Sequence, residues 1–198
     1  MITSINDLQT GDNFFVRGDS FLSRSICHVM RKWGKKRGYS LDIISKVMSH
    51  AAVFVVHKEL PDVPYLYGST ESGYKPIEFD KHYSWDEDEF IIMRRIGGLN
   101  DEQIGKVLRF VLHLTTVSLL YQYWNLIQWL LLVYLNINTF TWDSDDFTYC
   151  YESCYLTRRE IDSDDYPKIK NPDIFQLLTG NKYEVIYYSK KFLEELNK

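Results

Sequence analysis

The chain is expected to adopt an α+β fold, and three observations predict it. Ala51 to Val56 is a continuous apolar, β-branched run of the kind found in buried strands. Helical spacing of apolar residues follows Ser20, and a capping pattern precedes another helical stretch at Asn100. Strand-like segments lie on both sides of that stretch, which makes it a helical insertion between strands.

Taken in order, Leu8-Gln9-Thr10-Gly11-Asp12 reads as a turn feeding a strand over Asn13 to Val16. Asp19 or Ser20 is placed to cap a helix carrying Phe21, Leu22, Ile26 and Val29 and ending near Gly34. Gly38 to Val47 is ambiguous. After the Ala51 to Val56 strand, Pro61 and Pro64 mark a turn. Tyr65 to Tyr67, Tyr74 to Phe79 and Glu89 to Arg95 read as further strands.

Gly97-Gly98 breaks the pattern, and Asn100 with Gln103 forms a capping box for a helix running to about Leu120. Tyr123 to Tyr134 continues as a second helix. Thr139 to Phe147 is a polar, acidic loop, and Thr148 opens a helix ending near Arg159. Asp162 to Pro172 reads as a linker, Asp173 to Leu178 as a short helix and Tyr183 to Tyr188 as a closing strand. With no internal repeat or low-complexity segment, residues 1–198 are expected to form one domain.

Composition narrows the function classes. Hydrophobic residues make up 45% and aromatic residues 16%, enough for a packed core and against disorder. A net charge of −4 gives no reason to expect nucleic acid as a partner. The basic cluster Arg31-Lys32-Trp33-Gly34-Lys35-Lys36-Arg37 reads as a solvated loop. From Leu119 to Ile137 the apolar pattern is interrupted by Gln122, Asn125, Gln128 and Asn136. Its continuous part, Trp129 to Leu135, falls far short of the roughly 20 residues a spanning helix needs, so no transmembrane segment is expected. The 3 cysteines do not make a secreted disulfide framework. Met1 to Asp7 lacks the features of a signal peptide, and a cytoplasmic location is the expectation.

The chemistry is carried by two distant segments, Met48-Ser49-His50-Ala51 and Thr148-Tyr149-Cys150-Tyr151-Glu152. A thiol hydrolase needs one cysteine activated by one imidazole, and the two converge in space rather than in sequence. Cys150 in the first turn of a helix gains from the unpaired amides and the helix dipole. His50, at the start of the buried strand, is the candidate base. Asp143, Asp145 and Asp146 lie upstream and raise the thiol pKa unless they point away. A free cysteine is most often a small buried hydrophobe, and spacing alone favours that reading for Cys150. Cys154, one turn along, is either core, the favoured reading, or the nucleophile if the helix begins later, and Cys27-His28 reads as incidental. No second ligand pair appears at zinc-site spacing, so neither metal nor cofactor is expected.

For a third group, a simple hairpin around residues 58–63 pairs His57 with Pro64 and sets His50 opposite Glu71. Slippage by two residues substitutes Ser69 or Gly73. Glu71 is the chemically sensible choice.

In order, Leu8-Gln9-Thr10-Gly11-Asp12, Arg17-Gly18-Asp19-Ser20-Phe21-Leu22-Ser23, Ser49-His50-Ala51, Tyr121-Gln122-Tyr123 and Tyr149-Cys150-Tyr151-Glu152 form a pattern. It resembles that of the circularly permuted NlpC-type papain-like cysteine hydrolases, the YiiX-like group, from about Leu8 to Tyr188. The resemblance implies a permuted papain-like fold, a small antiparallel sheet or barrel packed against helices. It also implies Cys150 as nucleophile, His50 as base, and hydrolysis or transfer at an amide, ester or thioester. Substrates in such families include cell-wall (peptidoglycan-like) peptides and lipid or acyl groups. This chain departs from the family at Gly68, where an acid is usual, and at Tyr151, where a small residue is usual. Glu71, Ser69 or a backbone carbonyl then orients the imidazole.

Two other readings follow from the same residues. Loss of the acid at Gly68 suits a catalytically silent binding module. An apolar slot lined by Trp124, Trp129 or Tyr134 suits an acyl-handling enzyme. A cell-wall role requires lysis, separate export or phage delivery. No oligomeric state is assigned.

Overall fold

The computed structural model describes residues 4–57, 59–70, 73–117, 123–137, 150–169 and 172–196. Among them are six strands in one antiparallel sheet and eight α-helices. The strands are β1 (Asn13–Arg17), β2 (His50–His57), β3 (Leu60–Thr70), β4 (Gly73–Glu78), β5 (Glu89–Arg95) and β6 (Tyr183–Tyr188). Their spatial order is β4-β3-β2-β1-β5-β6, so β1 and β2 lie at the centre and β4 and β6 at the edges.

The helices are α1 (Phe21–Lys36), α2 (Leu41–Ser45), α3 (Phe79–His82), α4 (Asp101–Val117), α5 (Tyr123–Leu130), α6 (Cys150–Ile161), α7 (Ile174–Leu178) and α8 (Lys190–Leu196). A single π-helical turn, Leu131–Leu135, extends α5 and ends at Asn136 in the left-handed conformation. No helix among the described residues is long and apolar enough to cross a membrane.

Side chains alternate across a strand, so an uninterrupted apolar strand implies cover on both faces. That is the case for β2. Ala51, Val53 and Val55 join Phe15, Ile91 and Met93 in the larger core, which includes residues of α1, α4 and α6. Ala52 and Phe54 face the other way, with Phe14, Val16, Leu66, Phe90 and Ile92. Phe79, Tyr83 and Trp85 cover this second face as an aromatic layer. Phe14 sits at its centre, with its ring 5.5 Å from Phe79 and 4.8 Å from Tyr83.

Arg158 joins α6 to the rest of the molecule. It is fully buried and donates from Nε to Asn13 Oδ1 at 2.6 Å and from Nη1 to the Leu177 carbonyl at 2.7 Å. Its guanidinium lies 3.8 Å from the Tyr183 ring centroid. One side chain thereby ties α6 to β1, α7 and β6, through neutral acceptors and a π face.

Several local expectations hold. Ser20 is the cap of α1, accepting from Ser23 N at 3.1 Å. Asn100 and Gln103 form the reciprocal capping box before α4. Gly97 and Gly98 both take positive φ, which a side chain would resist.

Others are corrected. The basic cluster Arg31 to Lys36 is not a loop but the last turns of α1, where cations suit the helix dipole. Pro61 and Pro64 lie inside β3 rather than in a turn. They are tolerated there because the β2–β3 ladder shifts register between Val55 and His57. Asp162 is no free linker residue, since it pairs with Arg95 at 2.9 Å. The acidic loop Thr139 to Phe147 lies outside the described residues.

Candidate active site

His50 is the first residue of β2 and the partner of Val16 in the β1–β2 ladder. Its side chain therefore shares the face of Ala52 and Phe54. It is half-buried and lines a cavity of about 360 Å³. The cavity wall is rich in hydroxyls: Ser20, Ser23, Ser49, Ser69, Thr70 and Tyr83 all contribute, and Asp88 supplies a carboxylate. Ser49 Oγ accepts from Gly18 N at 3.0 Å and donates to the Val16 carbonyl at 3.1 Å, pinning the turn after β1 to the residue beside His50.

Burial lowers the His50 pKa to about 4, so the imidazole is neutral at physiological pH. A neutral ring can accept a proton; a pre-formed imidazolium–thiolate pair is disfavoured in this environment.

The expected partner opposite His50 is revised. Val53 pairs with Tyr67 and Val55 with Tyr65, whereas His57 pairs with Leu60 rather than Pro64. Carrying the Val53 register back sets His50 opposite Thr70, one residue short of Glu71. Glu71 itself lies outside the described residues. Gly68 stands diagonally across, where a Cβ would come within 3.4 Å of His50 Nε2.

Cys150 is the first described residue of α6, is 2% exposed and belongs to the larger core. It does not line the His50 cavity. The start of α6 is nonetheless fastened to the start of β2: the Tyr151 hydroxyl donates a hydrogen bond to the carbonyl of Met48, two residues before His50. Tyr83 borders both regions. It lines the His50 cavity, and its pKa is pushed up to about 12 by burial first, then by Asp88 and Cys150.

Cys154 is fully buried and its thiol pKa is driven far up by desolvation, as suits a core residue. Trp129 is buried against Trp33, with ring centroids 5.7 Å apart, and Tyr134 is exposed beneath Lys32. Neither lines the cavity, and the side chain of Trp124 lies outside the described residues. The aromatic slot expected for an acyl chain is thus not formed by Trp129 or Tyr134.

Sequence reasoning did not single out Tyr83 or Asp88. The signal for Ser20 and Ser23 was present, because both belong to the Arg17-Gly18-Asp19-Ser20-Phe21-Leu22-Ser23 segment.

No family model matches the chain, and no curated protein matches it in sequence. Solved structures do match. In fold the chain resembles the metalloprotein yiiX from Escherichia coli O157:H7. The superposition has a TM-score of 0.51 and covers 91% of this chain and 97% of yiiX, at 14% sequence identity. Agreement over nearly the whole of both chains at such low identity is a likeness of fold.

Proposed function

We propose that this protein is a papain-like cysteine hydrolase or transferase of the YiiX-like type, acting on an amide, ester or thioester. In this reading Cys150 attacks the carbonyl carbon and His50 takes the thiol proton. The leaving group departs with a proton returned by His50, and water then releases the acyl group from Cys150. The observation that carries the reading is His50 itself. It is a neutral imidazole on the wall of a hydroxyl-lined cavity, at the strand end to which Tyr151 anchors the Cys150 helix. The fold likeness to yiiX supports it further. Peptides, including cell-wall peptides, and acyl groups are the substrate classes that this site reading admits.

The solved yiiX is described as a metalloprotein; among the described residues of this chain no group of three or more His, Cys, Asp or Glu side chains is placed to hold a metal ion.

A second reading is a binding module that keeps the groove without turnover. Two observations favour it: the thiol of Cys150 is buried, and Gly68 presents no acid to the imidazole.

Trapping separates the two. The protein is incubated with a panel of activated acyl esters, thioesters and peptide amides, quenched in acid and analysed by mass spectrometry. A covalent acyl adduct on Cys150, absent from Cys150→Ser and slowed in His50→Ala, supports the hydrolase. Retention of ligand with no adduct supports the binding module.

A further inference from the structure

Arg24, Cys27, His28 and Arg31 recur at three- and four-residue spacing, so they share one face of α1. That face forms one wall of a second cavity, of about 540 Å³, separate from the one that His50 lines. Arg17 and Glu89 stand on another side and satisfy one another, Nη1 donating to Oε2 at 2.7 Å. The rest of the Arg17 guanidinium is used on backbone: Nη2 donates to the Ser45 carbonyl at 2.8 Å and Nε to the Val47 carbonyl at 3.3 Å.

Arg31 is different. Its Nε is buried and has no hydrogen-bond partner among the described residues. A buried donor left unpaired bears its full desolvation cost, and one carrying charge bears more. Burial first, and the like charge of Arg17 second, hold its pKa below the ordinary arginine value. Three carboxylates line the cavity: Glu89 is already held by Arg17, Asp19 lies 3.6 Å from Lys191 Nζ, and Glu195 is the third. Arg24 lies one turn of helix before Cys27, exposed, with its Nε donating to the Asp19 carbonyl at 2.9 Å. An oxyanion in the cavity would pair with the outer, Nη edge of the Arg31 guanidinium, for which no described residue supplies an acceptor, and a guanidinium matches carboxylate and phosphate geometry.

We propose that this cavity binds an oxyanion, a carboxylate or phosphate group, with Arg31 as the principal donor and Arg24 as the second. Gly18 belongs to the walls of both cavities, so the two adjoin. On the hydrolase reading above, on which this extension rests, the occupant is the anionic end of the substrate.

The test is a titration of the full-length, ¹⁵N-labelled protein with potassium phosphate and, separately, with sodium acetate, at constant ionic strength. Arginine Nε–Hε resonances are followed by NMR, and Arg31→Lys assigns the Arg31 signal. The expected result is a saturable shift of that signal with one or both anions. Saturation by phosphate alone assigns a phosphate group and by acetate alone a carboxylate. Arg31→Gln weakens binding by at least about tenfold, and the exposed Arg24→Gln weakens it less. Far-UV circular dichroism confirms that both variants are folded. No saturable shift with either anion, or unchanged affinity in Arg31→Gln, overturns the proposal. Binding is read without turnover, so failure of the anion site is distinct from failure of Cys150 to form an adduct.

Discussion

Gly68 lies against His50: a Cβ at residue 68 would stand 3.4 Å from the imidazole Nε2, 3.3 Å from the Ala51 carbonyl oxygen and 3.0 Å from the Ala52 Cβ. The absence of a side chain here is what lets the ring lie over β3. The same absence leaves no carboxylate at this position, and burial alone then sets the acidity of His50. Two of the three neighbours are sheet backbone or a Cβ, neither of which moves freely. Gly68→Ala is therefore expected to destabilise the fold by about 1–2 kcal/mol, despite the unfolded-state entropy that alanine removes. Urea unfolding measures this, and the His50 ring resonances should move in the same variant.

His50 makes stability depend on pH. Its folded pKa is about 4, below the ordinary value near 6.5. Between those values the unfolded chain binds a proton that the folded chain does not. Stability contributed by the neutral ring is thus present above about pH 6.5 and is lost as pH falls toward 4. The size is roughly 1–3 kcal/mol, reduced by the ring's partial exposure. His50→Gln should flatten this part of the pH profile, measured as urea midpoints from pH 4 to 7. A His50 imidazole that titrates near 6.5 by NMR would contradict the expectation.

Tyr151 positions the start of α6. Tyr151→Phe removes the donor to the Met48 carbonyl and leaves that acceptor unpaired beneath the helix. A cost of about 1–3 kcal/mol is expected in denaturant unfolding. On the proposed mechanism the rate of Cys150 acylation should also fall, because the cysteine helix loses its tie to the strand end that carries His50.

Much of this architecture is legible in the residues. The Ala51 to Val56 run implies a strand covered on both faces, and two cores on the two faces of β2 fulfil it. Asn100 and Gln103 announce α4 because their capping chemistry is local and independent of tertiary context. The register beside His50 is not legible. It depends on an irregularity between Val55 and His57 that shortens the β2–β3 connection and draws Pro61 and Pro64 into β3. A shift of one residue exchanges the two faces of a strand, so a bulge that no composition signals changes the residue facing His50. Tyr83 escapes notice for a similar reason: its place at the cavity is decided by packing on Phe14 and Phe79 rather than by any motif.

Arg158 illustrates the same limit. An arginine near the end of a helix ordinarily favours the dipole from the surface. Here it is fully buried, and its loss would orphan Asn13 Oδ1 and the Leu177 carbonyl together. Arg158→Met should cost about 3 kcal/mol or more in equilibrium unfolding. Arg158→Lys is expected to recover only part of this, since an ammonium cannot reproduce the fork.

The pairing of Cys150 with His50 is tested most directly by the pH dependence of iodoacetamide alkylation, read by mass spectrometry at each cysteine. Cys27 and Cys154 serve as internal references, because burial raises both of their thiol pKa values. Cys150 is expected to label fastest of the three below pH 8, and His50→Ala to slow it by about tenfold or more while leaving the references unchanged. Labelling of Cys150 no faster than that of Cys27 and Cys154, or a rate indifferent to His50, would contradict the pairing.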